Sequence, residues 1–138
     1  MEIMVDTETG EIEVERMLMV VDCGRVINPV TAAGQVEGGM AQALGFALKE
    51  EMLFTSDGQP TNPNLAKYKI PRAQEMPVMD VIFVQTDEPT GPYGAKSVAE
   101  ISIDGVAPAM ASAIHNATGI WMREVPYTKE RVQEALSR

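Results

Sequence analysis

The chain has 138 residues and a mass of 15.0 kDa, 45% of them hydrophobic and 22% charged. This is ordinary globular usage; it excludes wholesale disorder and predicts one domain over residues 1–138 with a radius of gyration of about 14 Å. No apolar run approaches the roughly 18 residues that cross a bilayer, and no basic-then-apolar leader opens the chain, so a soluble, cytoplasmic protein without membrane contact is expected. Twenty acidic against eleven basic residues give a net charge of −9, a field that disfavours binding to nucleic acid.

The chain opens as a β-hairpin. Ile3 and Val5 lead into the polar turn Asp6-Thr7-Glu8-Thr9-Gly10, and a return strand runs from Glu11 to Val21. Glu11, Glu13 and Glu15 alternate with Ile12 and Val14, which predicts one wet face. From Met17 to Val21 every residue is apolar, and cover on both faces is expected there. Asn28 before Pro29 has the form of an N-cap with proline in the first turn. A helix is predicted from Thr31 or Gln35 to Leu53, its apolar face marked by Val36, Met40, Ala43, Leu44, Ala47 and Leu48. Gly38, Gly39 and Gly45 each cost that helix about 1 kcal/mol relative to Ala, which points to a backbone or ligand in close approach.

Residues 55–77, with Pro60, Pro63, Pro71 and Pro77, read as an extended connection in which Lys67–Ile70 forms a short strand. Val78–Val84 reads as a strand apolar on both faces, broken only by Asp80. Thr86–Glu100 is a long segment with two Pro and two Gly and no period, the kind of loop that is usually functional. Val106, Met110, Ala113, Ile114 and Ala117 mark a second amphipathic helix, started by Ser102 or Asp104 and stopped by Gly119. A short helix capped by Thr128 closes the chain. The expected fold class is therefore α+β, a mixed or antiparallel sheet carrying two main helices. Ten methionines beside three Phe, three Tyr and one Trp suit either a Met-rich core or a face that docks on another chain.

The stretch Gly91-Pro92-Tyr93-Gly94-Ala95-Lys96-Ser97-Val98-Ala99-Glu100 carries the most chemistry. A glycine-bearing loop presents backbone N–H groups to an anion with little side-chain bulk between. Glu100 lies between Val98-Ala99 and Ile101, an apolar setting in which a carboxylate takes up protons more readily and suits general-base work. Neither a nucleotide P-loop pattern nor G-x-G-x-x-G after a strand is present. Other candidates have plainer readings. One cysteine, Cys23, and one histidine, His115, cannot form an internal disulfide, a structural zinc site or an iron–sulfur ligand set. Cys23 reads as a small buried thiol, His115 as a helix residue, and Arg25 and Arg72 as surface partners of the many carboxylates.

Taken together in order, Asp22-x-Gly24-x-x-Ile27-Asn28-Pro29, Gly34-Gln35-Val36-Glu37-Gly38-Gly39, Gly45, Glu50-Glu51, Tyr68-Lys69-Ile70-Pro71 and Gly94-Ala95-Lys96-Ser97-Val98-Ala99-Glu100 resemble the C-terminal part of the molybdopterin-binding subunit of molybdenum hydroxylases, the xanthine dehydrogenase and aldehyde oxidase family. The resemblance covers roughly residues 3–137. It implies a C-terminal subdomain of a molybdopterin-binding domain and an enzyme that hydroxylates an electron-poor carbon at the molybdenum cofactor. In such enzymes electrons leave through iron–sulfur clusters toward FAD, both expected on partner subunits. By the same resemblance Glu100 is the general base, Gln35 a hydrogen-bonding partner of the pterin, and Lys96, Ser97 and Val98 a backbone segment beside the cofactor. The family usually has Gly before the glutamate, where this chain has Ala99, and its molybdenum subunit is several times longer. The expected partner is thus the remainder of that subunit, with purine-like or other N-heterocyclic substrates favoured and aldehydes next. The alternative is a non-catalytic orphan domain that forms a homo-oligomer or an assembly module.

Overall fold

The first two apolar stretches pair as expected. In a computed structural model that describes residues 1–138, strand β1 (Glu2–Val5) runs antiparallel to β2 (Ile12–Val21), with Val5 opposite Ile12. Ile3 faces Val14 and Glu2 faces Arg16, so Glu15 is the extra residue of a β-bulge. One inserted residue moves every later side chain to the opposite face. Ile12 and Val14 point to the core before the bulge, and Met17, Met19 and Val21 do so after it. The bulge is the physical reason that the strand changes from charged alternation to an apolar run.

Strand β3 (Val78–Phe83) lies parallel to β2, from Arg16 opposite Val78 to Val21 opposite Phe83, so the sheet is mixed, in the order β1-β2-β3. A parallel partner requires a long crossover, and the chain between β2 and β3 supplies it with helix α1 (Pro29–Leu48). Asn28 caps this helix as predicted, its side-chain oxygen accepting from the N–H groups of Val30 (3.1 Å) and Thr31 (3.2 Å). The helix stops at Leu48, short of the predicted Leu53. The N–H groups of Lys49 and Glu50 both turn back to the carbonyl of Gly45, and buried Asn62 organises the next turn by accepting from Leu53 N and donating to the Glu51 carbonyl. Lys67–Ile70 is not a strand: the N–H groups of Lys67 and Tyr68 bond the carbonyl of Asn64 and close a turn.

The second helical region begins directly after Glu100, as a short α2 (Ile101–Asp104), rather than at the expected Ser102 or Asp104. It then passes through Gly105, which offers no side-chain cap, into α3 (Val106–Thr118). Gly119 ends α3 with a left-handed backbone, its N–H donating to the His115 carbonyl. Helix α4 (Lys129–Leu136) is capped by Thr128, as predicted.

The core is gathered on one face of the sheet. Val36, Met40 and Leu44 of α1 and Val106, Met110 and Ile114 of α3 belong to one cluster with Met17 and Val21 of β2. The expected two-sided burial of Met17–Val21 and Val78–Val84 does not occur, because both main helices occupy the inner face and leave Leu18, Val20, Val78, Ile82 and Val84 exposed. The methionines divide decisively. Met17, Met40, Met110 and Met122 are buried, Met1, Met19, Met76 and Met79 pack against the core, and only Met4 and Met52 are exposed. Met40 is fully buried among them. Met40→Ala should lower unfolding stability by about 2–5 kcal/mol, seen as a lower denaturant midpoint with an unchanged slope.

Candidate functional site

Strand β2 ends in Val21, and the next four residues form one wall of the site. Asp22 makes an Asx turn, its Oδ1 accepting from the N–H of Gly24 (2.9 Å). Gly24 has φ +66, and a Cβ there would meet the Gly94 carbonyl oxygen at 2.3 Å, so this position takes glycine for both conformation and space. The closeness lets the chain stitch itself to the predicted loop. Arg25 N donates to the Gly94 carbonyl (2.9 Å), Lys96 N donates to the Cys23 carbonyl (2.8 Å), and Gly24 and Ala95 form an antiparallel bridge.

Asp22 completes the clamp with its side chain. Its Oδ2 accepts from Lys96 Nζ (2.8 Å) and its Oδ1 from the Thr86 hydroxyl (2.8 Å), so one carboxylate ties both ends of the 86–96 segment. The Lys96 ammonium first, then the Gly24 N–H and the Thr86 hydroxyl, pull the Asp22 pKa from 3.8 down to about 2, and Asp22 in turn raises that of Lys96. The depressed carboxylate stabilises the loop fully above its unfolded value and loses that effect as pH falls through about 2. The Gly24 amide resonance should accordingly stay flat from neutral pH to about pH 4 and then titrate with a midpoint near 2. Asp22→Asn should speed hydrogen exchange at Lys96, and unchanged exchange would show that the clamp is idle.

The other end of the loop is tied to α1. Gln35 Nε2 donates to the Ala99 carbonyl (3.0 Å). One turn further along α1, a Cβ at Gly39 would lie 1.9 Å from Ser102 Oγ and 2.9 Å from Ser102 Cβ, so α2 packs directly on the bare helix backbone. The helix glycines predicted a backbone or a ligand in close approach; at Gly39 the approaching group is instead a side chain, that of Ser102. At Gly45 the approaching groups are Pro71 and the Glu50 carboxylate, and at Gly38 nothing approaches within 4 Å.

The predicted residues fall on one exposed rim. Gln35, Ser97 and Glu100 are exposed, Val98 is half-buried, and Glu100 occupies the N-cap position of α2 with φ −98 and ψ −8. The apolar setting expected for Glu100 is not supplied by these residues, since Ile101 beside it is exposed as well. Lys96 turns its side chain to Asp22, and its N–H is spent on the Cys23 carbonyl. The N–H groups of Ser97 and Val98 make no bond within the chain, while Ser97 Oγ accepts from Ala99 N (3.4 Å). Ala99 does not adopt a positive φ, so its methyl group adds no backbone strain at the position where the family usually has glycine. A cleft lies elsewhere, between the hairpin and the end of α1, lined by Ile12, Leu44, Leu48, Met76 and Tyr127, and none of the predicted site residues lines it.

Two features went unread in the sequence. The Asp22–Lys96–Thr86 clamp spans residues 64 and 74 positions apart, and the only local sign of it is the Asx-turn spacing of Asp22 and Gly24. The Gly39–Ser102 contact had half a sign, the glycine. Arg25 and Arg72, expected to pair with carboxylates, form no ion pair; Arg16, Lys49, Lys96, Arg131 and Arg138 do so instead. Cys23 is buried as expected, and His115 stacks on Trp121 at 4.1 Å between ring centroids.

The family described as molybdopterin cofactor-binding domain matches residues 1–77. The chain belongs to that family. It is 39% identical over 138 residues to the probable hypoxanthine oxidase XdhD of Escherichia coli K12, covering 99% of this chain and 14% of that protein. It is also 39% identical over 137 residues to the aldehyde oxidoreductase molybdenum-binding subunit PaoC of the same organism, covering 98% of this chain and 19% of that one. Among solved structures, quinoline 2-oxidoreductase from Pseudomonas putida 86 superposes with a TM-score of 0.93 at 30% identity, over 99% of this chain and 18% of that chain. The aldehyde oxidoreductase of Desulfovibrio gigas does so with a TM-score of 0.89 at 31% identity, over 99% and 15%. The chain thus spans less than a fifth of each of these relatives. No helix is long and apolar enough to cross a membrane.

A molybdopterin fits the chemistry of the rim. Gln35 keeps one N–H and its carbonyl oxygen free beyond the bond to Ala99, and the unpaired N–H groups of Ser97 and Val98 lie on the same loop. Donors and an acceptor exposed together suit a flat heterocycle rich in carbonyl and ring-nitrogen groups. No group of three or more His, Cys, Asp or Glu is placed to hold a metal ion.

Proposed function

We propose that this chain forms one wall of the molybdopterin site of a xanthine dehydrogenase-like molybdenum hydroxylase, completed by the remainder of a molybdenum-binding subunit. Residues 1–138 act in it as one domain, in the cytoplasm, where a lone buried thiol such as Cys23 stays reduced. The bound cofactor supplies the two-electron oxidation that inserts oxygen at an electron-poor carbon. This chain's own residues do the rest. Gln35 and the N–H groups of Ser97 and Val98 bind and orient the pterin edge, and Lys96, held by Asp22, sets where that segment lies. Glu100, adjacent to the carbonyl that Gln35 grips, acts as general base and holds the proton at its carboxylate. Iron–sulfur and FAD partner subunits carry electrons away, and purine-like or other N-heterocyclic carbons, then aldehydes, are the substrate classes.

The observation that carries this reading is the Gln35 Nε2 to Ala99 carbonyl bond, which joins two motifs 64 residues apart at the base of Glu100. The decisive test is cofactor content. The chain is co-expressed with a molybdenum-binding subunit that lacks its own matching segment, and molybdenum and pterin are measured per complex. A stoichiometric load that falls severalfold with Gln35→Ala is expected; an equal load without this chain would overturn the reading.

A further inference from the structure

The outer face of the sheet is apolar where a finished domain would be polar. Leu18 and Val20 of the central strand and Val78, Ile82 and Val84 of its parallel neighbour are between 48 and 63% exposed. Cross-strand pairing sets Val20 beside Ile82 and Leu18 beside Asp80, whose ion pair with Arg16 (2.7 Å) is the one charged break in the patch. Pairing of β1 ends at Arg16, which leaves the β1-side edge of β2 open along Leu18–Val21. Open strand edges beside bare apolar faces bind other chains. Val20, Ile82 and Val84 lie at the strand ends from which Asp22–Asn28 and the 85–100 loop depart, beside the candidate site.

We infer that this outer face and the open edge of β2 are the seat of the remaining four-fifths of a molybdenum-binding subunit, an inference that rests on the function proposed above. Length argues for that occupant. The backbone recurs with a TM-score of 0.93 inside a chain of which it makes up 18%, so a large body of polypeptide must pack on it. Charge argues against a second copy. The net charge is −9, Glu2 and Glu13 flank the patch, and Arg16 beside them is already paired with Asp80, so a self-pairing would bring carboxylates together. The occupant presents an apolar surface with basic side chains facing that acidic end, and adds backbone hydrogen bonds along Leu18–Val21.

The test uses the full chain, co-expressed with a molybdenum-binding subunit lacking its matching segment, as wild type, as Val20→Lys with Ile82→Lys, and as Phe54→Lys at an exposed apolar site outside the patch. Circular dichroism confirms that each variant folds. The wild type and Phe54→Lys should form a one-to-one complex, while the double lysine variant should weaken it at least 100-fold. The absence of a wild-type complex, indifference to the two lysines, or a homodimer that shields the patch from hydrogen exchange would each overturn the inference. Molybdenum content separates it from the proposed function: a patch-dependent complex without molybdenum keeps the docking face and removes the catalytic reading.

Discussion

Alanine at two adjacent glycines of α1 should act with opposite signs. At Gly38 a Cβ meets nothing within 4 Å, so Gly38→Ala gains the helix propensity of alanine and stabilises by up to about 1 kcal/mol. At Gly39 the same methyl group meets Ser102 Oγ at 1.9 Å and Ser102 Cβ at 2.9 Å, where α1 and α2 are buried against each other. Overpacking there typically costs about 1–3 kcal/mol, enough to reverse the propensity gain. Ser102 cannot swing aside, because it is fully buried and its hydroxyl already lacks a hydrogen-bond partner. Helix α2 must therefore shift, and Glu100 at its N-cap shifts with it. Thermal or denaturant unfolding of both variants checks the signs. Ser102→Gly in the Gly39→Ala background removes both clashing atoms and should recover stability, a coupling that a double-mutant cycle measures. Equal stabilisation by both alanines would mean that α1 and α2 do not meet at Gly39.

The Gly39 contact also marks where sequence ceases to be enough. The hairpin, the caps at Asn28, Gly119 and Thr128, and the Val78 strand were legible because each depends on residues within a few positions. By contrast, Ser102 and Asp104, expected to start the second main helix, lie inside α2, and α3 starts after Gly105 with no side-chain cap. The bulge at Glu15 was visible only as a change of character in β2, since the inserted residue is defined by a register that its partner sets. The helix end at Leu48 was overshot because Leu53 continues the apolar pattern, whereas Gly45 and buried Asn62 decide the stop through backbone bonds. The apolar run in β2 and β3 was read as two-sided burial, when within this chain only one side has cover. At the candidate site, the ordered motifs nominated residues, but the ties among them are long-range: Asp22 to Lys96, and Gln35 to Ala99. Periodicity has no means of pairing residues that far apart.

Glu100→Gln should separate catalysis from every structural role of the rim. Glutamine keeps the length of the side chain and one acceptor oxygen but cannot accept a proton at neutral pH. Glu100 is exposed and makes no side-chain cap bond on α2, so stability should change by less than about 0.5 kcal/mol. Cofactor content of the assembled complex should stay at the wild-type level, because Gln35, Ser97 and Val98 are untouched. Turnover is another matter. A positioned general base contributes about 10²–10⁴ in rate, which at about 1.4 kcal/mol per decade is a loss of roughly 3–5 kcal/mol of transition-state stabilisation. The loss should appear in kcat with KM little changed, since a base that works only as the proton moves adds nothing to ground-state binding. Ala99→Gly is the companion experiment. Ala99 carries no positive φ, so restoring the usual glycine should leave kcat within about twofold, and a large gain would mean that the methyl group crowds the reacting centre. Wild-type turnover by Glu100→Gln, at full cofactor load, would move the base elsewhere and reduce this residue to the first turn of a short helix.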